Sequence, residues 1–166
     1  VLFTGTPCQI AGLKAYLGKK NYTSLILCDL VCHGTPSPLI WRDYVSLLEK
    51  TKGCSLQSFS FRDKGKGWHN SRLCAQFVDG TTLYNTPIVD CFDSIFYQHI
   101  ALRPSCHACV FTNFERPSDI TIADFWGIEN SKPEFDDNKG ISLVLVNTKK
   151  GEAMFEKVKS GLVFEA

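Results

Sequence analysis

Eight cysteines stand in 166 residues, and four of them, Cys8, Cys32, Cys106 and Cys109, occupy positions where a thiolate is readily held. Thiolates are soft anionic ligands. Four that converge serve an iron–sulfur cubane or a structural zinc ion, and in pairs they serve thiol–disulfide exchange. Cys106 and Cys109 form a single C-x-x-C within Arg103-Pro104-Ser105-Cys106-His107-Ala108-Cys109, which supplies two adjacent ligands from one loop. Cys8 follows Thr6-Pro7, the start signal of a helix, where free amides and the positive end of the dipole favour an anion. Cys32 follows an apolar run and precedes His33-Gly34, and the glycine lets backbone approach closely. His33 and His107 flank these cysteines and read as hydrogen-bonding neighbours of the ligands rather than ligands. On spacing alone the three chemistries stay open.

The other cysteines read differently. Cys91 falls on the apolar stripe of a helix and Cys28 inside a buried strand, so both are expected as core thiols. Nothing marks Cys54 or Cys74 as a ligand.

The elements that must position the four thiols follow from pattern. Val1-Leu2-Phe3 is strand-like, Thr4-Gly5 reads as a turn, and Thr6-Pro7-Cys8-Gln9 is a capping box with proline at the first helical position. Ile10, Leu13 and Leu17 give that helix its apolar stripe, and Gly18 ends it. Residues 24–31 read as a strand buried on both faces, and Ser37-Pro38 opens a second helix with Ile40, Tyr44, Leu47 and Leu48 inward. Two such units predict a parallel α/β core. Residues 56–61 alternate, and Asp79-Gly80 between residues 72–78 and 81–85 signals a hairpin. A helix is expected over residues 88–100, with Ile88, Cys91, Phe92, Ile95 and His99 as its stripe. A strand is expected over 119–123, a second buried strand over 142–146, and an amphipathic helix at the end. The fold class is α/β: a mixed sheet with flanking helices and an antiparallel hairpin insertion, in one domain spanning residues 1–166.

Composition excludes several classes of partner. Net charge is +1, from 18 basic and 17 acidic residues, with no charged run, so no nucleic acid is expected. The apolar run over residues 25–31 is far too short for a bilayer, so no membrane is expected either. With 44% hydrophobic residues the chain can fold without disulfide staples, and the thiols suit a reducing cytoplasm. The chain starts at Val1 and stops in an apolar stretch, residues 161–166, and reads as a fragment lacking an N-terminal portion.

An ordered set of motifs carries a resemblance. Phe3-Thr4-Gly5-Thr6-Pro7-Cys8-Gln9, Asp29-Leu30-Val31-Cys32-His33-Gly34, Phe61-Arg62-Asp63-Lys64, Arg103-Pro104-Ser105-Cys106 with Cys109, and Asp119-Ile120-Thr121-Ile122-Ala123-Asp124-Phe125-Trp126-Gly127 follow one another. Over nearly its whole length the chain resembles the C-terminal domain of the coenzyme F420 hydrogenase/dehydrogenase beta subunit family. The resemblance implies an iron–sulfur flavoprotein oxidoreductase that passes electrons between a 4Fe-4S cluster, FAD and a substrate. It implies Cys8, Cys32, Cys106 and Cys109 as cluster ligands. It also implies a redox partner protein or ferredoxin-like domain and a small-molecule electron donor or acceptor. Ala123 departs from the glycine that often stands at that point of the pattern.

No G-x-G-x-x-G is present, so the flavin would need another cradle. The amides of Thr4, Gly5 and Thr6 are candidates for phosphate, Arg62, Lys64 and Lys66 for pyrophosphate or an acidic substrate, and Trp68, Phe125 and Trp126 for stacking. Against this stands the reading of the tryptophans as core aromatics and the lysines as a solvated loop. Hydride chemistry belongs to the flavin. Asp124 and His33 are the acid–base candidates worth testing.

Overall fold

The computed structural model describes residues 1–20 and 22–165, so the final residue of the apolar end at 161–166 lies outside the described residues. In chain order the elements are β1 (Leu2–Gly5), α1 (Pro7–Leu17), β2 (Ile26–Leu30), α2 (Pro38–Lys52), β3 (Leu56–Asp63), β4 (Arg72–Phe77), β5 (Thr82–Tyr84), α3 (Pro87–Tyr97), the short α4 (Pro104–His107), β6 (Ile120–Asp124), the short α5 (Ile128–Ser131), β7 (Ser142–Val146) and α6 (Lys149–Val158). Two compact units divide the chain. The first takes Val1–His33, Cys109–Asp136 and the stretch from Gly140 onward, and the second takes Gly34–Ala108 with Asp137–Lys139.

The first unit is built on a four-stranded sheet in the order β1-β2-β6-β7. β1, β2 and β6 are parallel, and β7 is antiparallel at the edge. The mixed sheet is as the sequence predicts, but three details differ. Thr4 and Gly5 lie within β1, paired with Cys28 and Asp29, and do not form a turn. β2 is shorter than expected, residues 26–30, although Val31 N–H still donates to Ile122 O of β6. β7 is half-exposed rather than buried on both faces, since as an edge strand it has only β6 beside it; Val144 and Val146 face outward. α6 begins at Thr148, whose hydroxyl accepts from Gly151 N–H. A Cβ on Gly151 would come 2.2 Å from Asp119 O, so only glycine allows this approach of helix to strand.

The second unit is a separate antiparallel sheet, β3-β4-β5, with α2 and α3 packed on it. The hairpin of β4 and β5 therefore extends its own sheet, not the mixed one. Tyr44, Leu48, Leu73, Ala75, Phe77, Val89 and Phe92 form its core, with Tyr44 Oη donating to Val89 O at 3.0 Å. Trp41 packs on Phe92 at 4.9 Å and on Phe59 at 5.4 Å between ring centroids. The sequence assigns α2 to the parallel core, whereas it belongs to this unit. Leu47 is 50% exposed beside fully buried Leu48. α3 stops at Tyr97 instead of continuing to residue 100, and it buries Val89 and Phe92 while Cys91 is exposed, so the core-thiol reading of Cys91 is wrong. The inward face runs along Ile88, Val89, Phe92 and Ile95, which leaves Cys91 on the flank of the helix.

Candidate metal centre

Parallel pairing aligns the carboxyl ends of β1, β2 and β6, with Gly5 opposite Asp29 and Leu30 opposite Ile122. From that one edge leave α1 with Cys8, the segment with Cys32 and His33, and Asp124-Phe125-Trp126. Open α/β sheets bind ligands beyond these strand ends. Within this unit the topology thus brings two of the four cysteines to one edge of the sheet.

All eight cysteines are free thiols. Cys8 is exposed, and Cys32, Cys106 and Cys109 are half-buried. Cys8 Sγ lies 3.1 Å from Thr6 Oγ1, in the first turn of α1. The Thr6 hydroxyl also reaches Gln9 Oε1 at 3.2 Å, and with one proton it donates to only one acceptor at a time. A Cys8 thiolate would claim that proton. Cys106 sits in α4, and its Sγ accepts the Thr35 N–H at 3.4 Å. Gly34, beside it, has φ +149°, a conformation that favours glycine, and a Cβ there would meet the end of the Leu102 side chain at 2.8 Å. By contrast, burial and then the neighbouring Asp29 carboxylate push the Cys28 thiol up, as suits an inert strand thiol.

Cys8, Cys32 and Cys109 belong to the first unit and Cys106 to the second. Among the described residues no three Cys, His, Asp or Glu side chains converge closely enough to hold a single metal ion. A cubane spreads its thiolates over four corners instead of gathering them at one point. The donor chemistry fits such a group: free, accessible thiols, two of them already beside hydroxyl or amide donors.

A polar network that the sequence reading leaves unassigned runs through the same sheet, from Asp29 in β2 to Asp119 and Asn147 at its other edge. Asp29, 1% exposed in the centre of β2, accepts from Thr121 Oγ1 at 2.5 Å and pairs with Arg116 Nη2 at 3.1 Å. Asn147 Nδ2 donates to Thr121 Oγ1 and to Ser118 Oγ. Asp119 accepts from Leu27 N–H, Thr148 Oγ1 and Lys150. Burial alone would push the Asp119 carboxyl up, but those three donors together hold it below the usual carboxylate range. The available signal was an aspartate inside an apolar strand, which must find a partner when buried.

The residues considered for a flavin are divided between the units. Trp68 is buried under two cations, Lys64 at 4.6 Å and Arg62 at 5.4 Å from its ring, so a flavin could stack there only by displacing one of them. Thr6 N–H is taken by Gln9 Oε1 at 2.9 Å, while Thr4 and Gly5 lie in β1 at the edge of the sheet. Phe125 is half-buried, while Trp126, at the sheet edge, is 64% exposed. Lys66, Asp124 and His33 are exposed. An open cavity of about 450 Å³ is lined by Val146, Asn147, Thr148, Lys149, Glu152 and Phe155. Because Val146 pairs with Ile120, it lies at the opposite edge from the cysteines.

Comparison with known proteins agrees with the motif reading. The family model that describes the C terminus of the coenzyme F420 hydrogenase/dehydrogenase beta subunit matches residues 1–166. None of the curated proteins matches. Among solved structures the chain is similar to one in the xenon-derivatised F420-reducing [NiFe] hydrogenase complex from Methanosarcina barkeri. The two share 17% identity with a TM-score of 0.51 over 97% of this chain, which spans 48% of that one. At that identity the likeness is one of fold.

Proposed function

The chain belongs to the family of C-terminal domains of the coenzyme F420 hydrogenase/dehydrogenase beta subunit, and from that premise we propose that it is an electron-transfer domain whose Cys8, Cys32, Cys106 and Cys109 hold a 4Fe-4S cluster. Membership makes it a redox domain. The observation that carries the finer reading is the carboxyl edge of the parallel sheet, where the segments bearing Cys8 and Cys32 emerge together. When bound, the cluster supplies one-electron transfer at a potential set by hydrogen bonds to its sulfurs and by exposure. The residues around it have recognisable tasks. Thr35 N–H donates to Cys106 Sγ, and Thr6 Oγ1 lies where it would donate to a Cys8 thiolate, both of which favour thiolate over thiol. The α1 dipole acts in the same direction on Cys8.

FAD in the complete protein is the proposed second carrier. Trp126, with Phe125 beside it, offers the exposed aromatic face at the same sheet edge. A partner protein or ferredoxin-like domain would take or deliver the electrons. No helix among the described residues is long and apolar enough to cross a membrane.

The test is metal and sulfide analysis of the complete protein, prepared without oxygen. About four irons and four sulfides per chain are expected. Each Cys→Ser change at the four positions should reduce that content, and Cys74→Ser should not. Stoichiometric zinc in iron-replete preparations, or full iron in Cys8→Ser, would overturn the assignment.

A further inference from the structure

Arg116 has three connections within the first unit that no stability argument requires. Its Nη1 donates to Phe111 O at 3.0 Å, which closes the loop that begins at Cys109. Its Nη2 donates to Leu30 O at 3.0 Å, two residues before Cys32. The same Nη2 lies 3.1 Å from Asp29 Oδ2, with 7% and 0% of the two side chains exposed. The adjacent Pro117 O accepts from Lys14 Nζ on α1, the helix that carries Cys8. The loop itself is closed by short-range bonds, Thr112 Oγ1 to Cys109 O, Asn113 Nδ2 to Val110 O and Glu115 N–H to Asn113 Oδ1. The Arg116 guanidinium joins this locally closed loop to β2.

As a device for stability the pair is poor. Asp29 Oδ2 makes no directed hydrogen bond, so its contact with Arg116 is coulombic, and buried Arg116 Nε has no partner among the described residues. Removing two charges from water costs several kcal/mol each, and apolar replacements of such pairs are often as stable or more so. What a forked cation supplies is registration: its two terminal nitrogens hold the Phe111 and Leu30 carbonyls at a fixed separation, which an ammonium does not do.

We propose that Arg116 is a positioning residue: its guanidinium fixes the loop beginning at Cys109 against the end of the strand leading into Cys32, and so sets the spacing of those two thiols. This rests on the cluster reading for its purpose, but the attachment itself is a property of the metal-free chain. Each is measured separately.

The experiment compares Arg116→Lys and Arg116→Met with the parent in the complete protein. Arg116→Lys keeps the charge, so it remains informative should Arg116→Met fail to fold. In metal-free, reduced samples, amide hydrogen exchange over residues 109–116 and iodoacetamide labelling of Cys109 are followed by mass spectrometry. Both should speed up at least tenfold in Arg116→Lys, while Cys74 in the second unit keeps its parental rate. Reconstituted without oxygen, Arg116→Lys should retain less iron than the parent, and the cluster it keeps should show a shifted midpoint potential. Parental exchange and labelling in Arg116→Lys would overturn the attachment. A loosened loop with parental iron content and potential would overturn the positioning role. A loosened loop in a protein whose parent takes up no iron would remove the cluster reading and leave the attachment standing.

Discussion

The two units solve the same folding problem with opposite materials. In the first, the buried apolar residues among those described are Ile10, Leu27 and Ile128, whereas Asp29, Ser118, Asp119 and Thr121 are also buried there. In the second, Tyr44, Leu48, Leu73, Ala75, Phe77, Val89 and Phe92 form a continuous apolar cluster without a buried charge among them. Apolar burial is non-directional and tolerates small displacements, whereas a buried polar network is worth its energy only while every partner stays in place. The unit that carries three of the four candidate ligands is thus the one whose packing depends on geometry.

The largest effect should come from breaking the apolar side of that contrast. Phe77 is fully buried in the centre of the second unit. Phe77→Ala should destabilise it by about 3–5 kcal/mol, through lost transfer energy and the cavity left behind. Denaturant unfolding followed by hydrogen exchange over β3 and β4 measures this. A loss confined to β2 and β6 would mean that the apolar cluster is not what holds the second unit together.

On the polar side, Asp119→Asn should cost about 1.5–3 kcal/mol at neutral pH, the range for hydrogen bonds to a charged group. It should also change the response to acid. The folded Asp119 carboxyl lies below its unfolded value, so its contribution is complete above the unfolded pKa and is lost as pH falls through the folded one. The charge facing it is Lys150 of α6, which stays protonated throughout that window. Exchange protection of β2 and β6 should therefore fall in acid before that of β4. In Asp119→Asn the difference between the two regions should be smaller and less dependent on pH. In the second unit the carboxyls oppose one another. Burial and then Asp90 push Asp93 up, so its protonation in acid favours the fold. Asp63 and Asp79, held down first by the Gly65 and Thr81 N–H groups, act in the same direction as Asp119. Equal acid sensitivity of both sheets would remove the contrast.

How much of this was legible in the sequence depends on whether the information is local. The cap of α1, the Asp79-Gly80 hairpin and the succession of strands along the chain follow from neighbouring residues, and the structure has them. A hydrophobic stripe shows that a face is buried but not against what, so α2 could not be assigned to its own sheet from Ile40, Tyr44 and Leu48 alone. Adjacent positions differ by only 100° around a helix, which is why Leu47 and Leu48 looked alike and are not. The candidate ligands could be named because motif order carries them. The polar network could not, since Asp29 and Arg116 meet across a long stretch of chain and nothing in either segment specifies the other.

The smallest expected effect is the most direct check on that lesson. Cys91 sits on α3, within an apolar segment that suggests a core thiol, yet it is exposed. If the inward face is Val89 and Phe92, then Cys91→Ser exchanges one small solvated group for another and should change stability by less than about 0.5 kcal/mol. Cys74→Ser, on β4 with 5% exposure and with its thiol against the Tyr84 hydroxyl, exchanges a buried apolar-leaning group for a more polar one and should cost about 1–3 kcal/mol. Both changes remove one thiol from the same unit and neither touches a candidate ligand, so their difference reads burial. Urea denaturation of the two variants under reducing conditions measures it. A Cys91→Ser loss as large as that of Cys74→Ser would mean that α3 turns its flank inward in solution, and the apolar core described for the second unit would have to be redrawn around it.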